Sequence, residues 1–209
     1  MRVIAGTARS LPLKCPEGLD VRPTTDRIKE TLFNMLQADV PGSIFLDLFS
    51  GSGAIGIEAL SRGAEKAYFL ENSVKAFSCI SQNLAFTKLE NRAIVIKQDV
   101  CSALGSIREK EVDLVFLDPP YKSGCEQDVL SVLSTMPYVT DQTLIVVEAS
   151  LDTQFPYLED LGYYLDREKR YKTNKHVFIR KCREQNVEAE VTMRRAVYPG
   201  SFDPVTYGH

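Results

Sequence analysis

Short apolar runs alternate with amphipathic stretches over the first 150 residues. The apolar runs at 44–48, 67–71, 93–96, 112–117 and 143–148 have the length of buried strands. Between them, apolar residues recur every three or four positions, which predicts helices. These helical stretches lie at 28–36, 54–60, 73–87 and 125–135. Alternation of strands and helices at this spacing predicts an α/β fold with a mostly parallel, doubly wound sheet and helices on both faces.

The two ends of this region follow a different pattern. Residues 161–171 and 175–182 predict two further strands, joined by 172–174 into a terminal antiparallel hairpin, which makes seven strands in all. Residues 2–14 alternate weakly and predict a short hairpin or arm. We therefore expect one domain over 1–183, including an amino-terminal arm over 1–22, followed by a polar linker at 184–192.

A glycine-rich turn follows the first predicted strand. The segment Gly51-Ser52-Gly53-Ala54-Ile55-Gly56 matches the Gly-x-Gly-x-x-Gly pattern of dinucleotide-binding proteins. Glycine accepts positive φ and lets a ligand approach the backbone. The turn therefore predicts a nucleotide cradle at the carboxyl end of the first strand. This pattern by itself leaves both NAD and S-adenosylmethionine open as cofactors.

Three carboxylates lie at the ends of the first three predicted strands. Asp47 lies at the end of the first strand, where it can accept hydrogen bonds from a ligand ammonium through a water or backbone group, and NAD has no ammonium. Glu71 follows the second strand and can bind both ribose hydroxyls of either cofactor. Asp99 follows the third and can accept from the adenine amine. The alternatives are a structural carboxylate for Asp47, an exposed strand end for Glu71 and a helix cap for Asp99.

The segment Asp118-Pro119-Pro120-Tyr121 ends the fourth strand and carries the most specific chemistry. Its prolines remove two backbone donors and fix φ, which leaves a rigid turn of acceptors. Such acceptors can hold both hydrogens of an exocyclic amine and keep its lone pair out of the ring, which makes the nitrogen a better nucleophile. Tyr121 offers a face for a splayed base. The alternative is a stiff loop without a ligand.

The composition narrows the class of protein only modestly. Apolar residues make up 44% of the chain and charged residues 25%, as in ordinary globular proteins. No apolar run approaches the roughly 20 residues of a membrane helix, and the amino terminus lacks a signal-peptide pattern. The five cysteines contain no Cys-x-x-Cys pair. We therefore expect reduced thiols, a cytoplasmic location and no metal site.

The charges are segregated along the chain. Residues 40–166 contain 18 acidic and 9 basic side chains, whereas residues 167–183 contain 8 basic and 1 acidic. A basic segment on an acidic protein favours a polyanionic partner such as a nucleic acid. The alternative is a solvated hairpin with surface lysines.

The motifs together resemble one known family. Asp47-Leu-Phe-Ser-Gly-Ser-Gly, Asp118-Pro-Pro-Tyr and Arg22-Pro-Thr-Thr-Asp-Arg-Ile-Lys-Glu are similar to the bacterial 16S rRNA guanine-N2 methyltransferase (RsmD) family over residues 2–182. The resemblance implies a Rossmann-like class I methyltransferase fold, S-adenosyl-L-methionine as cofactor and methylation of a guanine N2 amine. The implied partner of this monomer is 16S ribosomal RNA or the assembling small subunit. The arm departs from the pattern, since Ser10-Leu11-Pro12 stands where relatives tend to be more basic.

The resemblance also implies three sets of site residues. The expected catalytic residues are Asp118, Pro119, Pro120 and Tyr121. The expected cofactor-binding residues are Asp47, Phe49, Gly51, Ser52, Gly53, Glu71, Asn72, Asp99 and Val100. The expected RNA-binding residues are Arg22, Arg27, Lys169, Arg170, Lys172 and Lys175. The alternatives are DNA adenine-N6 or another amino-group methylation, an NAD-dependent oxidoreductase, and a non-enzymatic RNA-binding assembly factor.

The last 17 residues, 193–209, fall outside this resemblance. They are similar to the start of phosphopantetheine adenylyltransferase, up to its Thr-x-Gly-His motif. So short a segment cannot bury a core of its own. We therefore expect a truncated nucleotidyltransferase-like tail without activity, either a fusion remnant or an artefact.

Overall fold

A computed structural model describes residues 1–16, 25–120 and 124–183. The predictions for Arg22, Tyr121, the linker and the tail lie outside these residues. The described helices are α1 (Asp26–Met35), α2 (Ala54–Ser61), α3 (Val74–Thr87), α4 (Val100–Leu104) and α5 (Glu126–Thr135), with a 3₁₀ turn at Glu90–Arg92. The strands are β1 (Ile44–Leu48), β2 (Lys66–Leu70), β3 (Ala93–Ile96), β4 (Leu114–Leu117), β5 (Leu144–Ser150), β6 (Tyr163–Arg170) and β7 (Asn174–Lys181).

The seven strands form one sheet in the order β3-β2-β1-β4-β5-β7-β6. Strands β1 to β5 are parallel, and β7 lies antiparallel between β5 and β6. The predicted parallel sheet with a terminal hairpin is thus confirmed. The direction of winding reverses between β1 and β4, and open sheets of this kind bind ligands beyond the carboxyl ends of the strands at such a point.

Apolar side chains cover both faces of the central strands. One buried cluster joins α1, α2 and α3 to the sheet through Phe33, Ile57 and Phe69. The other cluster packs α4 and α5 on the opposite face, with Leu104 and Leu130 among its members. This double burial explains why the strands appear in the sequence as continuous apolar runs. None of the helices in the described ranges has the length and apolar character needed to cross a bilayer.

A buried ion pair fastens the amino-terminal arm to the domain. Lys29 of α1 and Glu58 of α2 are both fully buried, with Nζ 3.4 Å from Oε2. The Lys29 ammonium also donates to the Arg2 carbonyl (2.6 Å), and the Glu58 carboxylate accepts from the backbone N–H groups of Ile4 (2.7 Å) and Ala5 (3.0 Å). Burial lowers the pKa of Lys29, while the Glu58 charge acts in the opposite direction. The arm thus supplies backbone hydrogen bonds to both charges, and Arg62 adds a second cation to the pair, with Nε 2.7 Å from Glu58 Oε1.

We expect Glu58→Gln to lower the free energy of unfolding by about 3–5 kcal/mol, because it leaves the Lys29 ammonium buried without a counter-ion. Urea denaturation measures this change. The control is Asp141→Asn, which removes the partner of Arg183, a side chain that is 82% exposed. An exposed pair of this kind contributes under about 1 kcal/mol. Equal losses in the two variants would contradict the role assigned to Glu58.

Candidate active site

The turn between β1 and α2 is held in a strained, open conformation. Phe49, Gly51 and Gly53 have φ values of 61°, 54° and 76°. For Phe49 this left-handed conformation costs about 1–2 kcal/mol. Two hydrogen bonds offset the strain, from Ser50 N to the Leu70 carbonyl (3.1 Å) and from Gly53 N to the Ser50 carbonyl (2.7 Å). Strain held at the carboxyl end of a strand is typical of a ligand-binding turn.

The glycines of the turn have different roles. A Cβ atom on Gly51 would meet no heavy atom of the described residues within 4 Å, so its backbone faces open space. A Cβ atom on Gly56 would lie 2.4 Å from Cε1 of the buried Phe69. Gly51 therefore leaves room for a ligand, whereas Gly56 lets α2 pack closely against β2. The turn thus fits the predicted cradle for a nucleotide-type cofactor.

Asp47 lies beneath the turn and not on its open side. Asp47 is only 2% exposed, and its Oδ2 accepts a hydrogen bond from Gly56 N (2.9 Å). Burial, with a contribution from the Glu71 charge, raises the pKa of Asp47 to about 8. Asp47 therefore anchors the start of α2. This structural role is the alternative to ligand binding that the sequence left open.

Glu71 ties the cradle to the end of β2. Its Oε2 accepts from Gly51 N (2.9 Å) and its Oε1 from Ser73 N (2.8 Å). Because each carboxylate oxygen can accept more than one hydrogen bond, Glu71 keeps acceptor capacity for ribose hydroxyls. Asn72 is exposed beside it.

Asp99 and Val100 begin the helix that follows β3. The exposed Asp99 caps α4, because its Oδ1 accepts from Ser102 N (3.2 Å). This is the alternative that the sequence left open. Val100 is buried in the core, so only its backbone is available to a ligand.

A residue that the sequence analysis missed connects the arm to the cradle. Asn83 of α3 is buried, and its Nδ2 donates to the carbonyls of Ser52 (2.9 Å) and Lys14 (3.0 Å). Its Oδ1 accepts from Lys14 N (2.9 Å). Asn83 is one of several polar residues on an amphipathic helix, so its sequence context gives no sign of this role.

Asp118 and Pro119 stand at the same edge of the sheet as the cradle. The pairing of Leu48 with Leu117 places the residues that follow β1 and β4 side by side. Burial, then the charges of Glu148 and Asp47, raise the pKa of Asp118 well above its usual range. Pro120 is exposed. The structure thus brings the predicted acceptor turn next to the predicted cradle.

Asp118 and Pro119 line a cavity of about 270 Å³. The same cavity is lined by Glu148 and Ser150 of β5 and by Thr153 beyond it. Glu148 was not among the predicted site residues, because a carboxylate that ends an apolar run resembles an ordinary exposed strand end. The only signal was its position at the carboxyl end of the strand that follows the Asp118 turn.

A basic groove lies between α1 and the β6–β7 hairpin. Arg27, Lys169, Arg170 and Lys172 line this groove of about 490 Å³, together with Tyr171. Lys175 lies elsewhere. Its side chain is 3% exposed, and its Nζ is 3.0 Å from Glu168 Oε2 and 5.8 Å from the centre of the Phe155 ring. Among the described residues, the predicted RNA-binding set thus divides into exposed residues of the groove and a buried lysine in the hairpin.

The family model described as Conserved hypothetical protein 95 matches residues 1–180. The Escherichia coli (strain K12) protein named ribosomal RNA small subunit methyltransferase D is 34% identical over 171 residues, which cover 81% of this chain and 84% of the relative. Its Haemophilus influenzae namesake is 38% identical over 176 residues, covering 81% and 88%. The chain belongs to the RsmD family.

Solved structures extend the comparison to the fold. The yhhF protein from Escherichia coli superimposes on the RsmD-family chain with a TM-score of 0.75 and 32% identity, over 88% of this chain and 99% of that protein. The predicted family and the predicted Rossmann-like methyltransferase fold are both confirmed.

We expect Asp47→Asn to change the pH dependence of stability in this RsmD-family chain. The folded-state pKa of Asp47, about 8, lies above its ordinary value of 3.8. The proton on Asp47 therefore stabilises the fold fully below pH 3.8, and this contribution is lost as the pH rises through 8. Asp47→Asn does not show this decrease in stability, because asparagine has no carboxyl group to ionise. Its free energy of unfolding relative to wild type should therefore rise between pH 4 and 8, by at least about 1 kcal/mol.

Urea denaturation at a series of pH values measures this difference. The control is Asp39→Asn, which makes the same chemical change at an exposed carboxylate outside the turn. A constant difference between Asp47→Asn and wild type across the range would contradict the assignment.

Proposed function

We propose that this chain is an S-adenosylmethionine-dependent methyltransferase that modifies the exocyclic N2 amine of a guanine in 16S ribosomal RNA. The observation that carries the proposal is the meeting of the Gly51 cradle and the Asp118-Pro119 turn at one edge of the sheet, where β1 pairs with β4. The substrate class is supported by the names of the relatives, which are small-subunit ribosomal RNA methyltransferases.

The residues of the cradle suit the proposed cofactor. The open backbone at Gly51 would face it, Glu71 would bind its ribose hydroxyls and Asp99, with Asn72 nearby, would receive its adenine. S-adenosylmethionine, when bound, supplies a methyl group on a positively charged sulfur. Asp47 supports this site from below by holding α2 through Gly56.

The Asp118 turn would position the amine. The Asp118 carboxylate and the Pro119 carbonyl accept its two hydrogens, so that the nitrogen lone pair points out of the ring towards the cradle. The raised pKa of Asp118 also suits its carboxylate to take the proton that the amine loses when the new N–C bond forms. The neighbouring Glu148 carboxylate stabilises the positive charge that develops on the amine.

The basic groove would receive the RNA backbone. Arg27, Lys169, Arg170 and Lys172 are exposed and can contact phosphates. Lys175 is not part of this surface, because its ammonium is paired with Glu168 and lies over the Phe155 ring.

We expect Asp118→Ala to lower methyl transfer by about 100-fold or more while S-adenosylmethionine binding changes by less than about threefold, because the carboxylate holds the acceptor amine and not the cofactor. The assay measures incorporation of labelled methyl groups into 16S RNA from cells that lack the corresponding gene, and calorimetry measures cofactor affinity. The exposed Asp160 supplies the control variant, Asp160→Ala, which should retain full activity. Unimpaired transfer by Asp118→Ala would refute the proposed grip on the amine.

Reversal of three basic residues tests the RNA surface. We expect the triple change of Lys169, Arg170 and Lys172 to Glu to weaken 16S RNA binding at least about tenfold, and to reduce the slope of log affinity against log salt by about 2–3, because each lost phosphate contact removes nearly one released ion. Filter binding at several salt concentrations measures both quantities.

The matched control reverses Lys75, Lys97 and Lys110, which are exposed and lie outside the groove. This change alters the net charge equally but should leave the salt slope nearly intact. Similar slopes for the two triple variants would mean that the groove is merely solvated.

A further inference from the structure

A second carboxylate lies level with Asp118 in the sheet. Leu117 of β4 pairs with Val147 of β5, so that Asp118 and Glu148 each stand one residue further along neighbouring parallel strands. Both residues line the cavity of about 270 Å³. Aligned residues of parallel strands point to the same face of a sheet. The two carboxylates therefore face the same cavity.

Two side chains of β7 hold Glu148 in place. In the antiparallel register, Glu148 is opposite His176 and Ser150 is opposite Asn174. Glu148 Oε2 lies 3.2 Å from His176 Nε2, and Oε1 accepts from Asn174 Nδ2 (2.6 Å). His176 is itself fully buried and its Nδ1 lies 3.1 Å from the Tyr171 hydroxyl. The carboxylate is thus fixed in direction and only 7% exposed.

The cluster contains more acceptors than donors. Asp118 and Glu148 bring two carboxyl groups to the cavity, although their mutual repulsion makes this arrangement costly. Asn174 Oδ1, behind Glu148 and outside the lining of the cavity, is also buried, with no hydrogen-bond partner among the described residues. A ligand that presents several adjacent donors would satisfy such a cluster.

The Watson–Crick edge of guanine has this character. Its N1–H and N2 amine are adjacent donors, whereas adenine carries an amine beside an acceptor nitrogen at N1. A carboxylate at the N1 position therefore attracts guanine and repels adenine. A site built to bind one donor pattern discriminates strongly against a base that lacks it.

We propose that Glu148 selects guanine by accepting its N1–H while Asp118 and Pro119 hold the N2 amine. His176 and Asn174 are positioning residues that aim the Glu148 carboxylate. This inference rests on the proposed function and adds to it the residue that determines which base is accepted.

Binding of nucleotides to the full chain tests the inference without methyl transfer. The probes are guanosine, adenosine and 1-methylguanosine 5′-monophosphates, with affinities measured by NMR titration. We expect wild type to bind the guanosine nucleotide at least about tenfold more tightly than the other two, since each lacks the N1–H donor. Equal affinity for the guanosine and 1-methylguanosine nucleotides would overturn the inference, and this arm needs no variant.

The variant Glu148→Gln provides the second arm. Its amide can turn an N–H towards the N1 acceptor of adenine, so the preference for guanosine over adenosine monophosphate should fall about tenfold. The control Glu159→Gln changes an exposed glutamate of the loop after β5 and should keep the wild-type preference. An unchanged preference in a folded Glu148→Gln protein would overturn the inference.

Methyl transfer separates this inference from the function on which it rests. On unmodified 16S RNA we expect Glu148→Gln to lower kcat/KM by about 100-fold, with cofactor affinity unchanged. If wild type transfers methyl groups and Glu148→Gln is equally active, the role of Glu148 is refuted and the proposed function stands. If wild type transfers none, the proposed function itself is refuted.

Discussion

The pairing of β1 with β4 is the constraint on which the site depends. Both strands are covered by apolar side chains on each face, so a shift in their register would disturb two packed layers at once. The register therefore fixes the heights at which the strands end, and Phe49 and Asp118 leave the sheet side by side. The same constraint continues to β5 and sets the height of Glu148. Packing inside the sheet thus sets the relative positions of the residues at the candidate site.

Acidic groups accumulate along this edge at a cost to the fold. Asp47, Asp118 and Glu148 lie near enough for their charges to interact, and burial raises the pKa of the first two. Such an arrangement becomes favourable when positive charge enters the site, as a cofactor sulfonium or a reacting amine would provide. Under the proposed function, these acidic side chains are stabilised by positive charge that arrives only with the ligands. Unfavourable local arrangements of this kind often persist at functional sites.

Much of the fold follows from local patterns, whereas parts of the site depend on tertiary pairing. The strands were predictable because double burial leaves continuous apolar runs, and the cradle because positive φ demands glycine. The Glu148–His176 contact was not predictable, since it joins residues that are 28 positions apart and requires the register of β5 with β7. The burial of Lys175 was not predictable for a similar reason, because a count of charges does not reveal that one lysine of a basic segment packs against Glu168 and Phe155.

The contacts of Asn83 have a consequence for how the amino-terminal arm can diverge. One amide group joins Lys14 of the arm and Ser52 of the cradle, so the two segments should open and close as one cooperative unit. The arm is then part of the wall behind the Gly51 turn and not a detachable extension. We therefore expect substitutions on the buried side of the arm, and insertions near Lys14, to disturb the turn at Ser52, more than thirty residues away.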